Sequence, residues 1–153
     1  MIAKKFQIFN RFPNYLHYKP VDEDEIKTGK DSELIGTDGV ASCLAITLYD
    51  PKIRVGALAH IAGLNDSPEE LKPERVIDTL IHRLESIEDI SYQRLEATLA
   101  GEGIIIGGQR NSHVVRKVLM EHNISIIGED LCKAPGRLVF LHCDSGLVEV
   151  YRA

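Results

Sequence analysis

Residues 37–60 read Thr-Asp-Gly-Val-Ala-Ser-Cys-Leu-Ala-Ile-Thr-Leu-Tyr-Asp-Pro-Lys-Ile-Arg-Val-Gly-Ala-Leu-Ala-His. Two strand-like runs, Cys43 to Tyr49 and Ile53 to Ile61, flank Asp50-Pro51-Lys52. Proline there presets φ for a turn and the Asp50 carboxylate can bond the turn's backbone, so the pattern predicts a β-hairpin. An even, symmetric loop, either Pro51-Lys52 or the four residues from Asp50 to Ile53, sets Leu44 opposite Ala59, Ile46 opposite Ala57 and Leu48 opposite Val55. One face is then wholly apolar. A slip by one residue would set Arg54, Gly56 and His60 against those leucines, so burial selects the even register. The same register pairs Cys43 with His60, and directly opposed residues have Cβ atoms about 4.5–5.5 Å apart. Periodicity thus brings a thiol and an imidazole together at the open end of the ribbon.

The rest of the composition sets the frame. A chain of 153 residues is most economically one domain, long enough to bury a core without disulfides or metal. Its apolar share of 44% and charged share of 27% are those of a soluble globular protein. A net charge of −5 gives no reason to expect nucleic acid or an anionic membrane as partner, and no window approaches the length of a membrane span. The first residues, Met1-Ile2-Ala3-Lys4-Lys5-Phe6, carry no apolar signal region, so the expected location is the cytoplasm. Cys43, Cys132 and Cys143 are odd in number and lack Cys-x-x-Cys spacing, which argues against both a disulfide framework and a standard zinc site.

Residues 1–33 mix aromatics with the acidic run Asp22-Glu23-Asp24-Glu25 and read as an N-terminal arm or edge strand followed by a solvated loop. Leu34 to Thr37 fits a short strand. After the hairpin, Ser67-Pro68-Glu69-Glu70 has the form of a capping box with proline at the first helical position, but Pro73 limits it to a single turn. The main helix is expected from about Pro73, with Val76, Ile77, Leu80, Ile81, Leu84 and Ile87 as its buried stripe and His82 at the surface. Leu95 to Ala100 alternates as a strand. Gly107-Gly108 precedes a second helix, about Arg110 to His122, which Asn123 stops in a left-handed turn. A glycine pair before a helix can cradle an anion, though plain loop geometry explains these two without a ligand. Ile124 to Ile127 is a short strand, and Leu138 to Cys143 and Leu147 to Tyr151 close the chain as a hairpin over Asp144-Ser145-Gly146. Cys143 shares its face with Val139 and Leu141 and reads as a small buried hydrophobe. Helices alternating irregularly with hairpins indicate a mixed α+β layered fold.

Cysteine attacks as thiolate, and a neighbouring imidazole can take its proton and lower its pKa from about 8.5. His60 is then base and later acid, and needs a third group to orient it. Spacing alone offers Thr37, Ser42 and Thr47. A cysteine beside a histidine on a hairpin is also an ordinary packing arrangement. What argues for chemistry is the crowding of Gly39, Ala41 and Ser42 just before Cys43, which suits close substrate approach and backbone N–H groups aimed at an oxyanion.

The order Thr37, Ser42-Cys43, an apolar strand, Tyr49-Asp50-Pro51 and Val55-Gly56-Ala57-Leu58-Ala59-His60 resembles the chemoreceptor glutamine deamidase (CheD) family. The likeness continues through Leu95-Glu96-Ala97, Ile106-Gly107-Gly108-Gln109-Arg110-Asn111, Ile127-Gly128-Glu129-Asp130, Gly136-Arg137 and Asp144-Ser145-Gly146, covering about residues 34–152. Residues 34–153 are thus expected to form the CheD-like domain, and residues 1–33 match the family poorly. Three departures fall in loops: Ala41 where the family usually has Gly, Gly101-Glu102 where it has a Gly-Gly pair, and Leu131-Cys132-Lys133 where it tends to glycines.

The resemblance implies a four-layer α/β/β/α sandwich like that of bacterial toxin deamidases, with Thr37, Cys43 and His60 as catalytic triad. It implies thiolate attack on the carboxamide of a protein glutamine, loss of ammonia and hydrolysis of the thioester to glutamate, with no metal or organic cofactor. The implied substrate is a cytoplasmic helix of a methyl-accepting chemotaxis receptor. Two alternatives stand beside it: the same thiol chemistry on another protein, and a non-catalytic chemotaxis adaptor module docking a CheC-like phosphatase.

Overall fold

The computed structural model describes residues 5–14, 17–63, 66–103, 111–132 and 134–152. In chain order the elements are β1 (Phe6–Phe9), β2 (Lys19–Pro20), β3 (Glu25–Lys30), β4 (Leu34–Thr37), β5 (Leu44–Asp50), β6 (Val55–Ile61), α1 (Val76–Glu85), β7 (Glu96–Gly101), α2 (Asn111–Glu121), β8 (Ser125–Leu131), β9 (Arg137–His142) and β10 (Val148–Arg152). They form two five-stranded sheets, β1-β10-β9-β4-β2 and β3-β6-β5-β7-β8. Pairing is antiparallel except for β1 with β10, β2 with β4 and β7 with β8, which are parallel. The anticipated hairpin is the centre of the second sheet, and all seven residues of β5 are buried.

Alternation divides the core in two. Leu44, Ile46, Leu48, Val55, Ala57, Ala59 and Ile61 turn one way, toward Val76, Ile77, Leu80, Ile81 and Leu84 of α1 and Val115 and Leu119 of α2. Ala45, Tyr49 and Leu58 turn the other way, toward Ile35, Val139, Leu141, Val148 and Val150 of the first sheet. Cys143 lies fully buried in that second layer, as its spacing suggested. The architecture is therefore mixed α+β, with layers in the order helices, sheet, sheet. A helix on the outer face of the first sheet, the fourth layer of the expected sandwich, is not among the described residues. Aromatic contacts of Phe9 with Tyr151 and of Tyr18 with Phe140 occupy that face instead.

The hairpin register differs from the expected one by two residues. Ala45 stands opposite His60, Ile46 opposite Ala59, Leu48 opposite Ala57 and Asp50 opposite Val55. The cause is Asp50, which stays in the strand because its fully buried carboxylate accepts two hydrogen bonds from Arg94 Nε and Nη2, at 2.9 and 2.8 Å, and one from the Lys52 N–H at 3.1 Å. The loop is then Pro51 to Arg54, closed by Arg54 N–H to Asp50 O and by a positive φ of 53° at Arg54. Because side chains alternate with a period of two, this shift keeps every residue on its expected face.

Other expectations are adjusted locally. The acidic run leads into β3, which pairs along its length with β6, Glu25 opposite His60. Ser67 caps nothing: its hydroxyl donates to Asp24 Oδ1 at 2.6 Å and accepts the Gly63 N–H at 2.8 Å, and Glu69–Leu71 forms one 3₁₀ turn. Helix α1 stops at Glu85, which leaves Ile87 exposed. His82 is on the surface, and Asn123 has the expected left-handed φ of 56°. The Gly107-Gly108 pair lies outside the described residues.

Candidate active site

Thr37 ends β4 in the first sheet and points inward, on the same side as Ile35. His60 points toward it from β6 of the second sheet, on the same side as Leu58. They meet between the sheets, Thr37 Oγ1 lying 2.7 Å from His60 Nδ1, with the two residues 1% and 3% exposed. Of the three hydroxyls that spacing offered, the structure brings Thr37 to the ring. Thr47 is engaged elsewhere, 2.5 Å from Thr98 Oγ1.

The tautomer of His60 follows from counting hydrogens. A threonine hydroxyl has one, and Thr37 donates it to the Val21 carbonyl oxygen at 2.6 Å. Toward His60 the oxygen can only accept, so Nδ1 carries the ring proton and Nε2 presents a lone pair. That Nε2 is buried and has no hydrogen-bond partner among the described residues.

Cys43 sits just before β5, diagonal to His60 rather than opposite it, since Ala45 takes the opposite place. The two still share the inward face. A ring nitrogen of His60, Cys43 Sγ and a Glu23 carboxylate oxygen all lie within 4.8 Å of one another, the one such group of potential metal donors among the described residues. Cys43 is 7% exposed, with exposed Ala41 and Ser42 beside it.

The loop carrying the thiol is pinned on both sides. The Val40 N–H donates to Arg137 O at 3.0 Å, the Glu102 N–H to Cys43 O at 2.9 Å and the Gly103 N–H to Ala41 O at 2.8 Å. Gly101 allows this approach, because a β-carbon there would stand 2.2 Å from Cys43 O, and its φ is 141°. Glu102, with a positive φ of 55°, turns its buried carboxylate onto the start of α2, accepting the Ser112 N–H at 2.5 Å and the Ser112 hydroxyl at 2.8 Å. A carboxylate there also complements the positive end of the helix. Of the oxyanion candidates, the Gly39 N–H is held by the Asp38 carboxylate at 2.6 Å and the Ala41 N–H by Gly39 O at 3.0 Å. Neither is directed at a substrate. Among the described residues, the N–H groups of Ser42 and Cys43 have no such partner.

Electrostatics depart from the sequence-based picture. The Cys43 thiol donates to Glu23 Oε1 at 3.0 Å, and burial, followed by that carboxylate, pushes its pKa up to about 12. Burial holds His60 below its ordinary value, against the raising influence of Glu23, Asp24, Asp22 and Asp38. The pair as it stands is neutral thiol and neutral imidazole. Glu23 escaped the sequence analysis because it belongs to a run of acids; only the pairing of β3 with β6 brings it to the sulfur. Beside Glu23 and His60 opens a cavity of about 340 Å³, lined also by Tyr18, Val21, Asp22 and Asp38; Cys43 is not among its lining residues.

Fold and site define a class: an α+β protein with thiol, imidazole and hydroxyl gathered where the ends of two stacked sheets meet. Comparison with known proteins narrows it. The family model described as CheD chemotactic sensory transduction matches residues 74–152. A Clostridium novyi protein named probable chemoreceptor glutamine deamidase CheD is 33% identical over 85% of this chain and 94% of its own length. A Thermococcus kodakarensis protein of the same name is 32% identical over 82% of this chain and 91% of its own, and the chemoreceptor glutamine deamidase CheD of Thermotoga maritima 30% identical over 84% and 87%. The chain belongs to the CheD family. Among the described residues no helix is long and apolar enough to cross a membrane.

Proposed function

We propose that this chain is a cysteine-dependent protein-glutamine deamidase acting on the cytoplasmic helices of chemotaxis receptors. Its relatives' names support the substrate class. The observation that carries the chemistry is the Thr37 hydroxyl, which commits its hydrogen to Val21 O and so leaves His60 with its lone pair on Nε2. In this reading Cys43 Sγ attacks the carboxamide carbon of a glutamine while His60 takes the thiol proton. The tetrahedral oxyanion is met by N–H groups of the Ser42-Cys43 bend. His60 returns the proton to the departing nitrogen, ammonia leaves and a thioester remains. Water, deprotonated by His60, then attacks the thioester; glutamate is released and Cys43 regains its proton. Thr37 is the positioning residue.

A second reading, a non-catalytic adaptor docking a CheC-like phosphatase, is favoured by one observation: Glu23 holds the thiol protonated. One experiment separates the two. Wild type, Cys43→Ala and Thr37→Val are incubated with receptor cytoplasmic fragments, and amide-to-acid conversion is followed by mass spectrometry. The enzyme reading expects conversion by wild type and none by Cys43→Ala. For Thr37→Val it expects kcat lowered by about 10²-fold with KM little changed, in the range of general acid–base contributions. Equal conversion by wild type and Cys43→Ala, or none by either, sinks it.

A further inference from the structure

The acid beside the thiol is not needed by the chemistry above and, as a hydrogen-bond acceptor, works against it. Its position has another use. Cys43, His60 and Glu23 bring one sulfur, one imidazole nitrogen and one carboxylate oxygen within 4.8 Å of one another. Zinc takes these three ligand types at about 2.0–2.3 Å, and tetrahedral bonds of that length set ligand atoms roughly 3.3–3.7 Å apart. Cys43 Sγ and Glu23 Oε1 are already 3.0 Å apart, and Glu23 is an exposed residue whose side chain can adjust.

An independent observation points the same way. His60 Nε2 is a buried nitrogen without a hydrogen-bond partner among the described residues, on a residue 3% exposed. A buried polar atom left unmet carries its desolvation cost without compensation. Its ring is already oriented as metal-binding histidines are, the other nitrogen donating to an oxygen, here Thr37 Oγ1. The cavity over His60 and Glu23 has room for water as a fourth ligand.

We propose that Cys43, His60 and Glu23 form a three-ligand site for a thiophilic divalent cation such as Zn²⁺, with water completing the tetrahedron, and that its occupation closes the thiol to substrate. Binding replaces the S–H bond by a metal–sulfur bond and releases one proton to solvent; no electron is transferred. Asp22, Asp24 and Asp38 surround the group and add to the attraction for a cation. The site itself stands without the deamidase reading; the inhibition rests on it.

The test uses the metal-free chain and Zn²⁺ alone, titrated against a chromophoric chelator, with Co²⁺ as a spectroscopic probe of the sulfur. One Zn²⁺ per chain is expected, with a thiolate-to-cobalt charge-transfer band that Cys43→Ser abolishes. Glu23→Gln discriminates further. Were Glu23 only an acceptor holding the thiol protonated, its removal would tighten zinc binding. As a ligand, its removal weakens binding by at least about tenfold, the loss that even outer partners of a metal site cause. Circular dichroism verifies that each variant is folded. Absence of stoichiometric binding, a charge-transfer band that survives Cys43→Ser, or affinity unchanged or increased in Glu23→Gln overturns the site. Stoichiometric binding that leaves measurable deamidation unaltered overturns the inhibition alone, and a chain without deamidase activity that still binds zinc through these residues refutes only the earlier reading.

Discussion

One hydroxyl hydrogen sets the chemistry of the pocket at the scale of single residues. Thr37 gives it to Val21 O, and His60 is left with a proton toward Thr37 and a lone pair on the other nitrogen. Against this, Glu23 sits on the thiol and holds it protonated, with burial the larger part of the effect. In chelator-treated protein, Cys43 therefore reacts slowly with iodoacetamide at neutral pH, and Glu23→Gln speeds the reaction. Each unit of pKa relieved is worth about tenfold in thiolate at a pH well below it. A rate unchanged by Glu23→Gln would show that the acid has no hold on the sulfur. Thr37, Cys43 and His60 were visible in the sequence through spacing and family likeness. Glu23 was not, since one acid among four in a row carries no mark of where a later strand will put it.

Between neighbouring elements the decisive contact is the end of β7 against the loop before β5. Gly101 lets the backbone run against the Cys43 carbonyl, and Glu102 ties the same point to the first turn of α2. Gly101→Ala forces a β-carbon into Cys43 O at a φ that alanine resists, so a loss of about 1–3 kcal/mol in unfolding free energy is expected. Altered Cys43 reactivity in the folded fraction should accompany it, measured by denaturant unfolding and timed alkylation. Unchanged stability would mean that the two segments part without cost. The hairpin shows how far pattern reaches at this scale. Leu44, Ile46 and Leu48 specify which face is buried, but any shift by two satisfies them equally. Arg94, forty-four residues from Asp50 along the chain, holds Asp50 in the strand and selects among those shifts.

The whole molecule is tied across its sheets by a buried ion cluster. Asp130 of β8 receives Arg137 Nε of β9 at 2.8 Å and Arg152 of β10, and the Arg137 carbonyl holds Val40 ahead of the thiol loop. Burial acts to raise the Asp130 carboxyl, but the hydrogen bonds and charges of Arg152 and Arg137 outweigh it and hold it below its ordinary value. A carboxylate depressed in the folded state supplies stability in full above its unfolded pKa, near 3.9, and loses it as pH falls through the folded value. Asp130→Asn should therefore cost about 3 kcal/mol at neutral pH by stranding buried arginine charge, and flatten the loss of stability below about pH 4. Thermal melts of both proteins from about pH 7 to about pH 2 read this, and parallel acid limbs would refute it. The sequence by itself determined the strand and helix periodicities, the buried faces, the α+β class and the family, because these depend on residues near one another or on patterns repeated in place. Only the tertiary structure decided the hairpin register, the pairing of Asp50 with Arg94, and the arrival of Glu23 at Cys43. Each depends on which distant group meets a buried polar atom, and alternation along a strand does not encode that pairing.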